Sequence, residues 1–298
     1  MSSAKPMEGK LERPGRIPGR IEDISSPANP RIKSLKGLAL KKNRDRDGLF
    51  LAEGEKLVHD ALDAGWQVAT LILNRRDFSG DGDTSPETSK RLQTLASRVR
   101  ARGGDVLTVP AKLLTTITRR DNAQAVVAAL EPRLHDLVAV TAEDETLWLA
   151  LDRVRDPGNL GTIIRTADAL GAKGLVLVGD TTDPFSPETV RATMGSLFHV
   201  PLVRCGEAAF LAATETYRKA GGRLIGTHLE GSVDHRSVDY AAAPHILLMG
   251  NEQHGLTPKL AKACDGLIRI AMAGQADSLN LAVATGIALF EARRPFLT

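Results

Sequence analysis

The sequence predicts two α/β domains in tandem, and three observations carry that reading. Apolar runs of strand length alternate with stretches of helical periodicity along most of the chain. Its 298 residues exceed one typical domain. The alternation breaks once, at residues 131–146, where Glu, Pro, Arg and Asp mix with short apolar pieces, and the linker is placed there. A basic tail at residues 1–22, rich in Arg, Pro, Gly and Lys and without apolar periodicity, is read as disordered. The domains are then residues 23–130 and 147–298.

In the first domain, LFLAEG reads as a strand ending at Gly54, and EKLVHDALDAG as a helix with Leu57, Val58, Ala61 and Leu62 on one face. VATLILN is a strand, the polar stretch from Ser79 to Lys90 a loop, and Arg91–Arg102 a basic helix. DVLTVP and AQAVVAAL close the domain as strands. In the second, LWLALD is a strand, followed by a helix over PGNLGTIIRTADALGA with Asn159 as its N-cap and Gly171 just past its end. GLVLVG, VPLVR, GRLIGTHL, HILLMG and GLIRIAM are further strands. They are the continuous apolar runs of a parallel sheet covered on both faces. The segment Leu279 to Phe290 is apolar around most of its circumference, and such a helix has to be buried.

Composition excludes several classes. No apolar run approaches the roughly 20 residues needed to span a bilayer, and the first residues contain no apolar signal core. A cytoplasmic, membrane-free protein is expected. Cys205 and Cys264 are the only cysteines and form no metal-ligand spacing, so no metal is expected and both thiols are read as inert. Net charge is +3, but residues 1–50 hold 12 Lys/Arg against 6 Asp/Glu, leaving 27 against 30 for the rest. A basic region on a balanced chain suits an arm for nucleic-acid phosphates, and equally a solubilising tail. Arg31, Lys33, Lys36, Lys41, Lys42 and Arg44 are among the cations of this region that fall inside the first domain, and these six are expected to contact RNA.

Three segments of the second half place polar residues at a strand end or helix start, where open parallel sheets bind ligands. In DPGNLGTIIRTADALGA, Leu160, Ile163, Ile164, Ala167 and Leu170 form the apolar stripe. Arg165 lies off that stripe, as a solvated surface cation or a site residue. In HILLMGNEQHGL a buried strand meets Gly250, then Asn251, Glu252 and Gly255. Gly250 lets backbone approach a ligand closely, and His254 reads as a loop residue rather than a base. In IRIAMAGQADSLNLAVATGIALFEA a small-residue loop leads to Ser278, a good N-cap, and to Asn280 in the first turn. No G-x-G-x-x-G turn follows an early strand, which argues against a dinucleotide-type fold.

In order and spacing these segments resemble the three signature motifs of the SpoU/TrmH family of RNA ribose 2′-O-methyltransferases, over Leu147 to Phe290. Residues 25–130 resemble the small substrate-binding domain often fused ahead of it, through NPRIKSLKGLALKKNRDRDGLFLAEGEKLVHDAL above all. One departure is Gln253, where the second motif commonly has glycine.

The resemblance implies a trefoil-knotted parallel-sheet domain that dimerises with its terminal helix buried at the interface. It implies S-adenosylmethionine bound between the second and third motif loops, assigned to Leu248, Met249, Gly250, Asn251, Gly255, Ile270, Met272, Ser278 and Leu279. It places Arg165 at the 2′-hydroxyl, supported by Asn159, Glu252, Ser278 and Asn280, and beside the cofactor of the other subunit. Arginine ordinarily stays protonated, so Arg165 is either a perturbed proton acceptor or a cation stabilising the developing alkoxide. The fused domain favours ribosomal RNA as substrate. Transfer RNA, or an RNA-binding role without catalysis, are the alternatives.

Overall fold

The computed structural model describes residues 17–82, 84–228 and 233–297. Two sheets organise the chain. The first domain contributes β1 (Ile21–Asp23), α1 (Pro30–Gly37), α2 (Lys41–Asp47), β2 (Phe50–Glu53), α3 (Glu55–Asp63) and β3 (Val68–Asn74). These are followed by α4 (Arg75–Ser79), α5 (Pro86–Ala101), β4 (Asp105–Val109), α6 (Ala111–Thr118) and β5 (Val126–Leu130). The sheet order is β1-β4-β3-β5-β2, with β1 and β3 parallel to β4, and β5 antiparallel to β3 and β2.

The second domain begins with β6 (Leu147–Asp152), α7 (Pro157–Ala169), β7 (Gly174–Val178), α8 (Pro187–Ala192), β8 (Leu202–Cys205), α9 (Glu207–Lys219) and β9 (Arg223–Thr227). It ends with β10 (Val233–Asp234), β11 (His245–Met249), α10 (Pro258–Ala263), β12 (Gly266–Arg269) and α11 (Leu281–Arg293). Its seven strands are all parallel, in the order β10-β12-β9-β11-β6-β7-β8. The central strands β6, β7 and β11 are buried at every residue, as their unbroken apolar runs require. From β6 the chain builds outward through β7 and β8, crosses to β9, and returns to insert β11 beside β6. The carboxyl ends of β6 and β11 therefore flank a topological switch point, where a crevice opens.

Several local expectations are corrected. Ile21 and Glu22, assigned to the tail, form β1 and pair with Val106 and Leu107; residues 1–16 lie outside the described residues. The loop expected from Ser79 to Lys90 is shorter, because Ser85 caps α5 through Thr88 N–H and Pro86 stands at its first turn. The helix thus starts five residues before Arg91. Between the domains, residues 131–146 run along the edge of the second sheet, with His135 N–H donating to Leu202 C=O at 2.7 Å and Leu137 and Val140 packed on its core.

The domains share one apolar core. Phe50 lies 4.9 Å from Phe185 between ring centroids, Trp66 lies 5.3 Å from Phe198, and Trp66 Nε1 donates to Phe198 C=O at 3.1 Å. Arg44, only 6% exposed, donates to Asp183 through Nε and Nη2 at 3.0 and 2.6 Å. A buried pair of this kind fixes how the two domains meet.

Candidate active site

The helix α7 is capped by Asp156, not by Asn159: Asp156 accepts from Asn159 N–H at 2.6 Å. This correction matters to the site, because it releases the Asn159 side chain from capping. Asn159 Nδ2 donates to Glu252 Oε1 at 3.4 Å, and Asn280 Nδ2 donates to Asn159 Oδ1 at 2.9 Å. Three residues from the segments that follow β6, β11 and β12 thus form one chain of contacts, although 121 positions separate Asn159 from Asn280.

The start of α11 is corrected in the same way. Asn280 is its N-cap, accepting from Ala282 and Val283 N–H, whereas Ser278 lies two residues earlier, exposed and outside the cap. The cap holds Asn280 Oδ1 toward its own helix and leaves Nδ2 to reach Asn159. Arg165 lies two turns into α7, exposed, and its side chain makes no hydrogen bond or ion pair among the described residues. Its guanidinium points away from the stripe of Leu160, Ile163, Ile164 and Ala167, all fully buried.

The loop after β11 is built from inside. Asn251 and Gly255 exchange both backbone hydrogen bonds at 3.0 Å, and Asn251 Oδ1 accepts from the N–H groups of Gln253 and His254. A Cβ on Gly250 would lie 2.6 Å from the backbone of Gly255 and Leu256. The close approach expected of Gly250 toward a ligand is thus made first to its own loop. Leu248 and Met249 have buried side chains, and their main chain pairs with the flanking strands, so neither presents a free polar group to a ligand. Gln253 and His254 are exposed at the loop tip.

Asp152 and Arg153 are functional candidates that the motif reading missed. Asp152 is 2% exposed at the end of β6 and accepts from Arg153 Nε and Nη2 at 2.9 and 2.8 Å. Its hydrogen bonds and charge hold the Arg153 guanidinium above the usual range. Arg153 has φ of 49°, a region disfavoured for side chains other than glycine. From there it reaches Gly255 C=O at 3.4 Å, while its own carbonyl accepts from Asn251 Nδ2 at 2.8 Å. This clamp joins the first two motif loops. Its signal was a carboxylate ending a wholly apolar strand, which needs a partner when buried.

The third loop differs. Residues 271–278 are all exposed, Met272 included, and Ile270 and Leu279 are half-buried. Among the described residues, none from 271 to 279 makes a hydrogen bond within the chain. Their N–H and C=O groups remain open to a ligand.

The basic cluster of the first domain is only partly available. Arg44 is committed to Asp183 and to the carbonyls of Leu38 and Ala39, which removes it from the expected RNA contacts. Arg31 bridges Glu22 and Asp105 at 2.8 and 2.7 Å, and Lys41 pairs with Asp45 four residues on. Lys33, Lys36 and Lys42 are exposed and make no ion pair among the described residues. No cluster of His, Cys, Asp or Glu able to hold a metal occurs among the described residues, and no helix among them is long and apolar enough to cross a membrane.

Comparison with known proteins agrees with this geometry. The model of the SpoU rRNA Methylase family matches residues 146–290, and that of the MRM3-like substrate binding domain matches residues 29–128. A 23S rRNA (uridine(2479)-2′-O)-methyltransferase of Streptomyces viridochromogenes is 35% identical over 89% of this chain and 90% of its own length. The 23S rRNA (guanosine(2553)-2′-O)-methyltransferase RlmP of Bacillus subtilis is 30% identical over 92% of this chain and all of its own. The solved structure of an AdoMet-bound rRNA methyltransferase from Sinorhizobium meliloti superposes with a TM-score of 0.85 at 50% identity, covering 93% of this chain and 99% of that one. This chain belongs to the SpoU rRNA methylase family.

Proposed function

We propose that this protein transfers a methyl group from S-adenosylmethionine to a ribose 2′-hydroxyl of ribosomal RNA in the cytoplasm. The observation that carries the reading is the Asn280–Asn159–Glu252 chain of contacts, together with an exposed Arg165 six residues along the same helix as Asn159, whose side chain has no partner among the described residues. Relatives of nearly full length are named for 2′-O-methylation of 23S rRNA, one at a uridine and one at a guanosine. That supports the RNA class and leaves the nucleotide open.

The residues present fit the cofactor. The open main chain of 271–279 and that of Gly250, just past β11, offer donors and acceptors to its polar edges, with Asn251 and Gly255 holding the second loop in shape. Bound there, the cofactor supplies a methyl group already activated on a sulfonium. The protein's share is to orient and to manage a proton. Arg165 holds the attacking 2′-oxygen and either accepts its proton or stabilises the charge that develops as that proton passes to water. Asn159, Glu252 and Asn280 set the position of the ribose and of α7, with Ser278 at the edge of the site.

The catalytic unit is a homodimer, with the C-terminal segment threaded as a trefoil knot. Val283, Ile287 and Phe290 form an exposed apolar row on α11 at 53%, 37% and 53% exposure. Such a row on the helix that Asn280 caps is a surface for a second copy. A second subunit there would supply Arg165 with the surroundings it lacks in one chain.

The test is direct. Purified protein, labelled S-adenosylmethionine and an unmodified 23S rRNA transcript should yield a 2′-O-methyl nucleoside after digestion, with the protein sedimenting as a dimer. Label on a base, or no cofactor binding by calorimetry, would contradict the reading.

A further inference from the structure

A second polar site lies where the domains meet, away from the three motif loops. A cavity of about 350 Å³ opens between the end of α6 and α8, lined by Ala39, Thr118, Arg119 and Arg120 from one domain and Glu188 and Arg191 from the other. Beneath it sits Glu53, whose side chain is 4% exposed. One carboxylate there serves two guanidiniums: Arg120 Nη1 at 3.4 Å and Arg191 Nη1 at 3.3 Å. Arg191 also lies 3.9 Å from the exposed Glu188.

Arg119 is the third cation and makes no ion pair or side-chain hydrogen bond among the described residues. It terminates α6 with φ of 57° in the left-handed region, where glycine is the usual residue, and its N–H donates to Thr115 C=O. A non-glycine residue held in that conformation while presenting an exposed charge calls for a function. The cavity is therefore net positive. Its lining is polar, which does not suit an apolar ligand. Guanidinium forks match phosphate oxygens.

We infer that this crease binds a phosphodiester segment of the RNA substrate and registers it against the catalytic helix. The registration is physical. A Cβ on Gly161 of α7 would lie 2.4 Å from Ala192 Cβ of α8, so α7 and α8 are in closest contact one turn before Arg165. Arg191 rides on α8, Arg120 is tied to it through Glu53, and Arg119 stands next to Arg120 in the chain. The RNA contact at the crease and the Arg165 helix then move as one body. This rests on the RNA methyltransferase reading above.

The experiment uses the full chain, an unmodified 23S rRNA transcript and a salt series. Arg119→Gly removes the guanidinium while favouring the left-handed cap, so folding is preserved or improved. It should weaken RNA binding several-fold and make the log–log salt dependence shallower by about one phosphate contact. Arg119→Glu should weaken it further, and S-adenosylmethionine affinity should stay as in the wild type for both. Arg119→Gly and Arg119→Glu proteins that fold and bind the transcript with wild-type affinity and salt slope would overturn the inference. A wild-type protein that methylates no RNA would instead sink the reading on which it rests. Wild-type methylation with indifferent Arg119 variants sinks only the crease.

Discussion

The strand ends of the second domain and the first two helices of the first domain use their polar side chains in opposite ways. At the strand ends of the second domain, Asn159, Glu252 and Asn280 touch one another lightly, at 2.9 to 3.4 Å, and Arg165 stays open to solvent. In α1 and α2, the cations nearest the core are consumed by structure: Arg44 by Asp183, Arg31 by Glu22 and Asp105. Topology explains the difference. Strand ends at a switch point open on a crevice, so their polar groups are left for a ligand. A short helix packed beside a domain boundary turns its inner cation into a buried ion pair. A count of charges along the chain therefore overstates the phosphate-binding surface of the first domain.

Breaking the buried pair gives the largest expected effect. Arg44→Ala leaves Asp183 with an unpaired carboxylate, 12% exposed, and should cost about 3–5 kcal/mol in urea denaturation. If Arg44 were a surface RNA contact after all, the cost would stay within about 0.5 kcal/mol. The caps come next. Asn280→Ala should lose about 1 kcal/mol by removing the α11 cap, while Ser278→Ala should cost nothing measurable in stability. Equal losses from the two would overturn the assignment of the cap.

The exposed lysines have a smaller and different signature. Replacing Lys33, Lys36 and Lys42 together by Ala should leave thermal stability nearly unchanged and flatten the salt dependence of RNA binding. An unaltered salt slope would remove α1 and α2 from the RNA surface. The smallest effect concerns the thiols. Burial pushes Cys205 up to about 11 and Cys264 up to about 12, so neither should react with iodoacetamide at pH 8 in the folded protein. Fast labelling of either would mean that its surroundings open.

Much of this architecture was legible in the sequence because buried parallel strands are unbroken apolar runs: β3 coincides with VATLILN and β6 with LWLALD. Boundaries set by capping were harder. Ser85-Pro86 reads as loop because the polar run around it masks a cap, and Asp156 and Asn159 compete for one cap because both are good capping residues three positions apart. At the site, the resemblance of the three motifs to the SpoU/TrmH signatures picked out Asn159, Glu252 and Asn280. Asp152 and Arg153 escaped because their role depends on the positive φ of Arg153 and on a loop 102 residues away. Arg44 was misassigned because its partner Asp183 is 139 residues distant, and nothing local to α2 announces the domain contact.

The central claim is that an exposed Arg165, on the helix that also carries Asn159, carries the chemistry without carrying the fold. Methyl transfer to an unmodified 23S rRNA transcript by Arg165→Ala, read as alkali-resistant dinucleotides, tests it most directly. The account predicts no transfer, with S-adenosylmethionine binding retained and stability changed by no more than about 0.5 kcal/mol. Wild-type levels of 2′-O-methylation by that variant would contradict it.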